Sequence, residues 1–418
     1  MSEDGQSDRA GVFYRGRGVF DGVSGGLRCG DGLLVAGDRV VAVGPASELA
    51  GVAVRTEDLG DRVIVPGFVD AHTHVSIRPG EGDQHSQMLR PIAWQTIRAV
   101  QNVQRMLRSG VTTARIMTEE QDIDFEFRNA IERGEICGPR LFVSGPGLSP
   151  PGGHGSAGGG VAGVQRLREA VRARVARGAD HIKIFTTGGV SSTNTTLSES
   201  NYSAQEIAAI VDEAAMAGLK VSAHAHGGPG VDLSVENGIH SIEHGALLDR
   251  ASIELMVTHG TWLVLTNTIL FHPDGIERGD ARVPQIMQKV QEARSSMAGN
   301  TELLRQAGVR IALGTDSMHG LFGYELQWLV EHGWSAQEAL VAATRGGAEL
   351  LGASDLGVLR PGARADFVVL RRDPFDDIKA VFDVVAVYRD GQEVVSAAGI
   401  VPPNPSKKHR RQNEDSSR

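Results

Sequence analysis

Cysteine and long apolar runs are both scarce in this sequence. Cys29 and Cys137 are the only cysteines among the 418 residues. Two thiols so far apart form neither a disulfide framework nor a zinc-finger spacing, so we expect a reducing, cytoplasmic location. No stretch approaches the roughly 20 apolar residues of a membrane span. The first residues are polar and acidic, unlike a secretory signal. These absences argue against a membrane or secreted protein.

Positive charge is also in short supply. The net charge is -9, so no global basic field is present to attract nucleic acid. A short basic cluster occupies 407–411, within a polar segment at 401–418. We predict that 401–418 is a disordered, solvated tail. Neither nucleic acid nor membrane is an expected partner.

One pattern recurs through the middle of the chain. A helical stretch ends in glycine, and a short apolar run that is typical of a buried strand follows it. The predicted strands are 63–68, 140–144 and the runs after Gly110, Gly178, Gly218, Gly238, Gly260 and Gly308. Eight such strands alternating with amphipathic helices predict an α/β fold, a (β/α)8 TIM-like barrel. A doubly wound open sheet is the weaker alternative, because polar residues follow many strands rather than one switch point.

The two ends of the chain differ from its middle. Short strand-like pieces broken by glycine fill 11–62 and 358–400, and Asp390-Gly391 is a hairpin signal. We predict that these two segments form one small β-sandwich domain, and that the barrel spans 63–357. In the barrel, Ser203 and Glu206 have the spacing of a helix capping box.

Chemically active side chains interrupt the apolar pattern at strand ends. His72 and His74 are two residues apart and therefore project from the same side of a strand. Other strand ends supply Lys183, His224, His226, His244 and Asp316. Core packing alone does not explain metal-ligand types at so many strand ends, because buried unpaired charges are expensive. The pattern predicts a metal site at the mouth of the barrel.

The residue types indicate which metals fit. Imidazoles and a carboxylate favour zinc or a neighbouring divalent ion over magnesium. Burial makes Lys183 easier to deprotonate, and reaction with carbon dioxide would give it a carbamate. Two carbamate oxygens can bridge two metal ions at the spacing of two-metal sites.

The order of these motifs resembles the amidohydrolase superfamily. "PGFVDAHTH", a strand-end lysine, "HAHG", "SIEHG" and "GTD" follow one another. "GVTTAR", "GPRLFVSGPGLSPPGGHG" and "TTGGVSS" resemble the branch with imidazolonepropionase-like proteins and metal-dependent Xaa-Pro and Xaa-Arg/Lys dipeptidases. The resemblance implies metal ligands at His72, His74, Lys183, His224, His244 and Asp316. It further implies that Lys183 is carboxylated and that Asp316 also handles the proton.

The resemblance implies an enzyme that cleaves a C–N amide bond with metal-activated water. Dipeptides and N-acyl amino acids are the first expected substrates; a cyclic amide, a carbamate or an aryl amide is the alternative. A non-enzymatic scaffold is a remote alternative, since no predicted ligand is missing. Relatives often assemble into larger oligomers, so the resemblance also allows a homo-oligomer.

Four further residues are candidates for contact with substrate. His154, in a glycine-rich loop, is predicted to donate to a developing oxyanion, with an exposed loop histidine as the alternative. His226 follows His224 on the same face, where relatives often have tyrosine, and this departure weakens the case for dipeptides. Tyr202 and Tyr324 follow strand ends and are predicted to line the pocket, with loop packing as the alternative.

Overall fold

The structure is a computed structural model, which describes residues 11–156 and 159–402. The predicted disordered tail lies outside the described residues from 403 onward, as does its basic cluster. In the described ranges, no helix combines the length and apolar character needed to cross a membrane.

The strands alternate with helices through the middle of the chain and cluster at its two ends. In chain order the strands are β1 Val12–Arg15, β2 Gly18–Val19, β3 Arg28–Cys29, β4 Asp31–Ala36, β5 Arg39–Pro45, β6 Arg55–Asp58, β7 Val63–Pro66, β8 Phe68–Thr73, β9 Val111–Ile116, β10 Arg140–Val143, β11 Ile182–Phe185, β12 Val221–Ala225, β13 Ser241–His244, β14 Trp262–Leu265, β15 Ile311–Leu313, β16 Phe367–Leu370, β17 Val384–Arg389, β18 Gln392–Ser396 and β19 Gly399–Ile400.

The helices lie mostly between the central strands. They are α1 Ala46–Leu49, α2 Gln84–Met88, α3 Ile92–Arg108, α4 Ile123–Arg133, α5 Val164–Ala176, α6 Ala204–Met216, α7 Pro229–Glu236, α8 Arg250–His259, α9 Asn267–Phe271, α10 Ile276–Asp280, α11 Pro284–Ala307, α12 Phe322–Glu331, α13 Ala336–Val341 and α14 Gly347–Leu350.

Strands β8 to β15 form two parallel sheets. One sheet has the order β10-β9-β8 and the other runs from β11 to β15 in sequence. Leu148, beyond the end of β10, exchanges backbone hydrogen bonds of 2.8 and 2.9 Å with Lys183 and Phe185 of β11. The Asp316 amide, beyond the end of β15, donates to the His72 carbonyl in β8 at 2.8 Å. Because these strands are parallel, their carboxyl ends share an edge in each sheet, where ligand sites of α/β proteins are built.

Strands from both chain ends combine in one mixed sheet. Its order is β19-β18-β17-β16-β7-β2-β3, and a second sheet, β5-β4-β1-β6, comes from the N-terminal segment alone. Tyr14 and Leu33 from the second sheet share a buried apolar cluster with Ile64 and Phe367 from the first. The Phe367 ring also stacks on Tyr388, with centroids 4.3 Å apart. The two sheets therefore enclose a core of their own.

The prediction that 63–68 begins the parallel series is wrong. Val63–Pro66 pairs with β16 antiparallel and with β2 parallel, in the mixed sheet. The strand that carries His72 begins at Phe68, after Gly67. All four residues of β7 are buried. An apolar strand that is covered on both faces has the same sequence pattern in either sheet, so the pattern could not separate β7 from β8.

Candidate active site

Three potential metal ligands meet at the carboxyl end of β8 and just beyond that of β15. The Nε2 atoms of His72 and His74 lie 3.5 and 3.3 Å from Oδ1 of Asp316. One ligand atom from each of these residues lies within 4.8 Å of the others. His74 Nδ1 lies 2.8 Å from the Thr118 carbonyl, to which it donates, so Nε2 is left free to bind. Two imidazoles and a carboxylate at this spacing suit a divalent ion of the zinc type.

The backbone around Asp316 is held in an unusual conformation. Asp316 has φ 46°, a left-handed value that non-glycine residues adopt only when neighbours enforce it. The amide and hydroxyl of Thr315 donate to the buried Asp70 carboxylate at 3.0 and 2.6 Å. A Cβ at Gly314 would lie 2.4 Å from Cβ of His72, so only glycine allows this approach. The "GTD" motif thus brings Asp316 to the histidines.

Lys183, His224 and His244 form a second group next to the first. The His244 ring centroid lies 4.6 Å from that of His72 and 4.6 Å from that of His224. Lys183 is 2% exposed, and its Nζ has no hydrogen-bond partner among the described residues. Burial lowers the pKa of this amine to about 8. A buried, unpaired and more easily deprotonated amine fits the predicted reaction with carbon dioxide.

Glu243 lies behind His72 and was not predicted as a site residue. Its Oε2 lies 2.8 Å from His72 Nδ1, while Oε1 accepts hydrogen bonds from Arg115 at 2.8 Å and from Ser241 at 2.6 Å. Burial raises the pKa of Glu243, but the charge of Arg115 and the hydrogen bond from His72 outweigh it and hold that pKa well below its usual range. The ionised carboxylate therefore accepts the Nδ1 proton of His72 and directs Nε2 toward Asp316.

The glycine-rich loop brings His154 to this cluster. Its ring centroid lies 4.5 Å from that of His224, and Nδ1 lies 2.7 Å from the Ser192 hydroxyl oxygen. A Cβ at Gly189 would lie 2.3 Å from His154 Nε2, so glycine makes room for the ring. Burial lowers the pKa of His154 to about 4, which leaves the imidazole neutral at neutral pH. The histidine is half-buried at the site rather than exposed.

His226 also reaches the cluster. Its ring centroid lies 4.8 Å from that of His224 and 5.2 Å from that of His244. Neither ring nitrogen has a hydrogen-bond partner among the described residues, and burial lowers its pKa to about 3. A neutral imidazole with both nitrogens unpaired is placed to meet a ligand.

Two predicted substrate residues lie elsewhere. Tyr202 is 3% exposed within the main hydrophobic core, and its hydroxyl donates to the Val161 carbonyl at 2.8 Å. Tyr324, on α12, packs edge-on against His272 with centroids 5.1 Å apart. Neither tyrosine lines the cavity described below. The prediction that they line the pocket is wrong and the packing alternative holds, because position after a strand end does not fix where a side chain points.

A cavity of about 800 Å³ opens over these residues. Its polar floor contains His154, His226 and every predicted metal ligand. Those ligands are His72, His74, Lys183, His224, His244 and Asp316. Its volume suits a small organic substrate. A buried floor of ligand-type side chains under a cavity of this size is the usual arrangement of a catalytic metal site.

The amidohydrolase family profile matches residues 63–394, which is most of the chain. The chain belongs to the amidohydrolase family. The superfamily predicted from the motifs is confirmed, and with it an enzyme that hydrolyses carbon–nitrogen bonds. Members of the family generally use divalent metal ions, and this amidohydrolase has a suitable ligand group in His72, His74 and Asp316.

Known relatives of this amidohydrolase include several hydrolases. Ochratoxinase from Aspergillus niger is 30% identical, over 88% of this chain and 84% of that protein. Imidazolonepropionase from Nocardia farcinica is 28% identical, over 81% of this chain and 85% of that protein. A prolidase solved with N-methylphosphonate-L-proline superposes with a TM-score of 0.82 at 31% identity, over 92% and 99% of the two chains. The predicted branch, which includes dipeptidases, is therefore confirmed.

The residues that sequence reasoning missed in this amidohydrolase carry a visible signal. Arg115 is the arginine of "GVTTAR" and Glu243 is the glutamate of "SIEHG", and both are charges inside apolar strands. Charges in such places must be paired. The sequence alone therefore allowed the prediction that Arg115 and Glu243 form a buried ion pair. It did not allow the prediction that Glu243 contacts His72.

Proposed function

We propose that this amidohydrolase uses two divalent metal ions, zinc above all, to hydrolyse a C–N amide bond in a small substrate. The observation that carries the proposal is Lys183, an amine that is buried and unpaired in the floor of the cavity. A lysine is expensive to hold there as an ammonium group, whereas a carbamate formed with carbon dioxide would be stabilised by two metal ions.

The ligand sets would divide between the two groups of side chains. His72, His74 and Asp316 would hold one ion, and His224 and His244 would hold the other. Lys183, as its carbamate, would belong to both sets. When bound, ions of this kind lower the pKa of water and polarise a carbonyl group.

Two side chains then have defined tasks during hydrolysis. Asp316 lies in the floor of the cavity, with Oδ1 at 3.5 and 3.3 Å from Nε2 of His72 and His74. The ionised carboxylate would accept a proton from water and deliver it to the leaving nitrogen. If Ser192 donates to Nδ1 of His154, the ring proton resides on Nε2, which would donate to the carbonyl oxygen as charge develops.

We also propose that the two parallel sheets belong to one closed eight-stranded barrel. The hydrogen bonds of Leu148 with β11 and of Asp316 with β8 support this closure, because they join both sides of the three-stranded sheet to the five-stranded one. Closure would bring all strand ends around one mouth, which is where such barrels carry their active sites.

The substrate lies in one of two classes. The dipeptides and N-acyl amino acids expected from the sequence are one class, and the names ochratoxinase and prolidase among the relatives support amide substrates in general. Cyclic amides, carbamates and aryl amides offer a similar carbonyl and form the other class. The reaction assigned to the side chains is the same in both.

Metal analysis and a hydrolysis screen on the same preparation test the proposal. Protein loaded with zinc in bicarbonate buffer should bind two equivalents and cleave a subset of the amides. Lys183→Ala should lose at least one equivalent and roughly 100-fold or more in kcat/KM. Lys220→Ala, at an exposed lysine, is the matched control. Two tightly bound equivalents and full activity in Lys183→Ala would contradict the proposal.

A further inference from the structure

Away from its polar floor, the cavity has an aliphatic wall. The side chains on this wall are 2–5% exposed, and they are Ile77, Met88, Ile269, Leu270, Ile276 and Ile286. They come from the segment after β8, from α2 and from the helices α9 to α11. An apolar substrate group would bury surface here, whereas a charged group would lose its hydration against these side chains.

Within the described ranges, no lysine or arginine on this wall is free to pair with a substrate carboxylate. Among the described lining residues, Lys183 in the floor is the only lysine or arginine. Lys289, on α11, lies behind the loop at 189–195. Its Nζ donates to the carbonyls of Gly189 at 3.3 Å, Ser192 at 2.6 Å and Thr195, and these bonds use all three of its hydrogens. The ammonium group is therefore already satisfied by the backbone.

The charges that do line this side of the cavity are acidic. Asp83 and Asp280 both belong to the lining. Asp280 is 6% exposed, and its Oδ1 accepts the Asp83 amide at 3.3 Å while Oδ2 has no partner among the described residues. The imidazole of His85, on the exposed rim, interacts electrostatically with Asp83. A substrate carboxylate in this part of the cavity would meet like charge.

We propose that the cavity selects amides whose apolar groups carry no carboxylate, such as aryl or alkyl amides and dipeptides with a blocked C-terminus. A neutral or cationic group would be accepted beside Asp83 and Asp280. This inference rests on the proposed function. It favours the class that includes aryl amides over dipeptides and N-acyl amino acids with a free carboxylate. In the reaction the C–N bond breaks, water supplies hydroxide to the carbonyl carbon and a proton to the nitrogen, and an acid and an amine leave.

Binding of two uncleavable ligands tests the selection without any need for turnover. N-methylsulfonyl-phenethylamine and N-methylsulfonyl-phenylalanine differ only in the carboxylate, and calorimetry on the zinc-loaded full chain would give both Kd values. The uncharged ligand should bind about tenfold tighter or more. Equal or tighter binding of the carboxylate ligand would overturn the inference, even if the protein hydrolysed amides as proposed.

Hydrolysis of the matching acetyl compounds separates this inference from the proposed function. N-acetyl-phenethylamine and N-acetyl-phenylalaninamide should exceed N-acetyl-phenylalanine in kcat/KM by about tenfold or more. If no acetyl compound or other amide is cleaved, the proposed function fails, and the calorimetric comparison alone decides the selection. If N-acetyl-phenylalanine is the best of the three, the selection fails and the proposed function stands.

Two substitutions connect the selection to the wall. Asp280→Asn, which keeps the shape of the side chain, should reduce the ratio of the Kd values of the two sulfonamides several-fold. Asp274→Asn, at an exposed residue outside the lining, is the matched control. Val283→Arg adds a cation at a half-buried lining position and should tighten binding of the carboxylate ligand. An unchanged ratio of Kd values in both folded variants would overturn the inference.

Discussion

At the scale of single residues, the orientation of His72 depends on one buried ion pair. Glu243 is fully buried, contacts His72 and Arg115, and belongs to the same strand as His244. A carboxylate behind an imidazole fixes its tautomer and raises its basicity as a ligand. Glu243 should therefore couple the stability of the parallel strands to the metal binding that we propose.

Glu243→Gln should lower both the stability of the protein and its affinity for zinc. The substitution leaves Arg115 as a buried cation without its counter-ion, so the free energy of unfolding should fall by about 3–5 kcal/mol. Zinc affinity should fall by about 10- to 100-fold. Chemical denaturation and competition with a chelator measure the two effects. Glu302→Gln, in an exposed ion pair, should change neither; an unchanged zinc affinity in Glu243→Gln would refute the coupling.

Tyr202→Phe should affect stability but not catalysis. The hydroxyl donates to Val161 inside the core and does not reach the cavity, so its loss should cost about 1 kcal/mol in the free energy of unfolding. The kcat/KM for the best amide should stay within a factor of two. A drop of about tenfold in a fully folded variant would instead mean that Tyr202 touches substrate.

The sequence allowed the prediction that the residues of the polar floor lie together, whereas it gave no sign of the aliphatic wall. His72, Lys183 and Asp316 each interrupt or end an apolar strand, and strand ends in a parallel sheet converge by geometry. Tyr202 lies in a loop, and no periodicity determines its direction. The aliphatic residues of the wall, such as Ile269, read in the sequence as ordinary core.

At the scale of elements, the loop at 189–195 connects α11 to the polar floor of the cavity. Lys289 on α11 holds three carbonyls of this loop, while Ser192 of the same loop lies 2.7 Å from His154. Lys289 is thus a positioning residue, which acts on the cavity through the backbone.

Lys289→Met should make the loop at 189–195 more mobile, and with it the imidazole of His154. We expect kcat to fall roughly tenfold with a smaller change in KM, because the contact matters most as charge develops on the carbonyl oxygen. Steady-state kinetics on the zinc-loaded enzyme measure both parameters, and Lys379→Met at an exposed lysine is the control. If KM alone rises, the loop contributes to substrate binding rather than to the position of His154.

The contact between α4 and the segment after β10 lowers the stability of the fold to an extent that depends on pH. Asp124 is fully buried; Oδ2 accepts the Gly145 amide at 2.8 Å and Oδ1 has no partner among the described residues. Burial, reinforced by the charge of Glu119, raises its pKa from 3.8 to about 7. The folded state then binds more protons than the unfolded state between these values, so this carboxyl destabilises the fold as pH rises from about 4 to 7.

Asp124→Asn should remove that dependence. Relative to the wild type, the variant should gain about 1–3 kcal/mol in the free energy of unfolding above pH 7 and little near pH 4. Denaturation at a series of pH values gives the difference. A gain that is constant across the series would show that the effect does not come from ionisation of Asp124.

Local elements were predictable where their signals lie within a few residues. The capping box of Ser203 and Glu206 forms as predicted at the start of α6, and Asp390-Gly391 makes the turn between β17 and β18 with φ of 51° and 69°. The assignment of 63–68 failed because strand pairing depends on residues 367–370, far away in sequence. Local pattern identifies a strand but not its sheet.

At the scale of the whole molecule, Arg140 ties the parallel sheets to the sheets of the chain ends. Its guanidinium group lies 2.7 Å from the buried Asp366 carboxylate and 2.8 Å from that of Asp390. Arg389 adds a bond from β17 to the Gly138 carbonyl. These contacts join β10 to residues from the C-terminal segment.

Arg140→Met should uncouple the parallel sheets from the sheets of the chain ends while leaving the polar floor of the cavity intact. Asp366 would lose its counter-ion in a buried position, so the free energy of unfolding should fall by about 3–5 kcal/mol. The number of zinc ions bound should not change. Arg133→Met, in an exposed pair with Glu135, is the control. If Arg140→Met lowers the free energy of unfolding by no more than Arg133→Met does, the contacts of Arg140 do not stabilise the molecule.

The pairing of β7 with β16 has a consequence for synthesis on the ribosome. Val63–Pro66 leaves the ribosome early, but its antiparallel partner Phe367–Leu370 follows only after all the parallel strands have been translated. During that interval one edge of an entirely apolar strand is unpaired, and such edges bind other chains. Nascent chains that stall before residue 370 should therefore require a chaperone at this strand, although every side chain of the cavity floor has already been made.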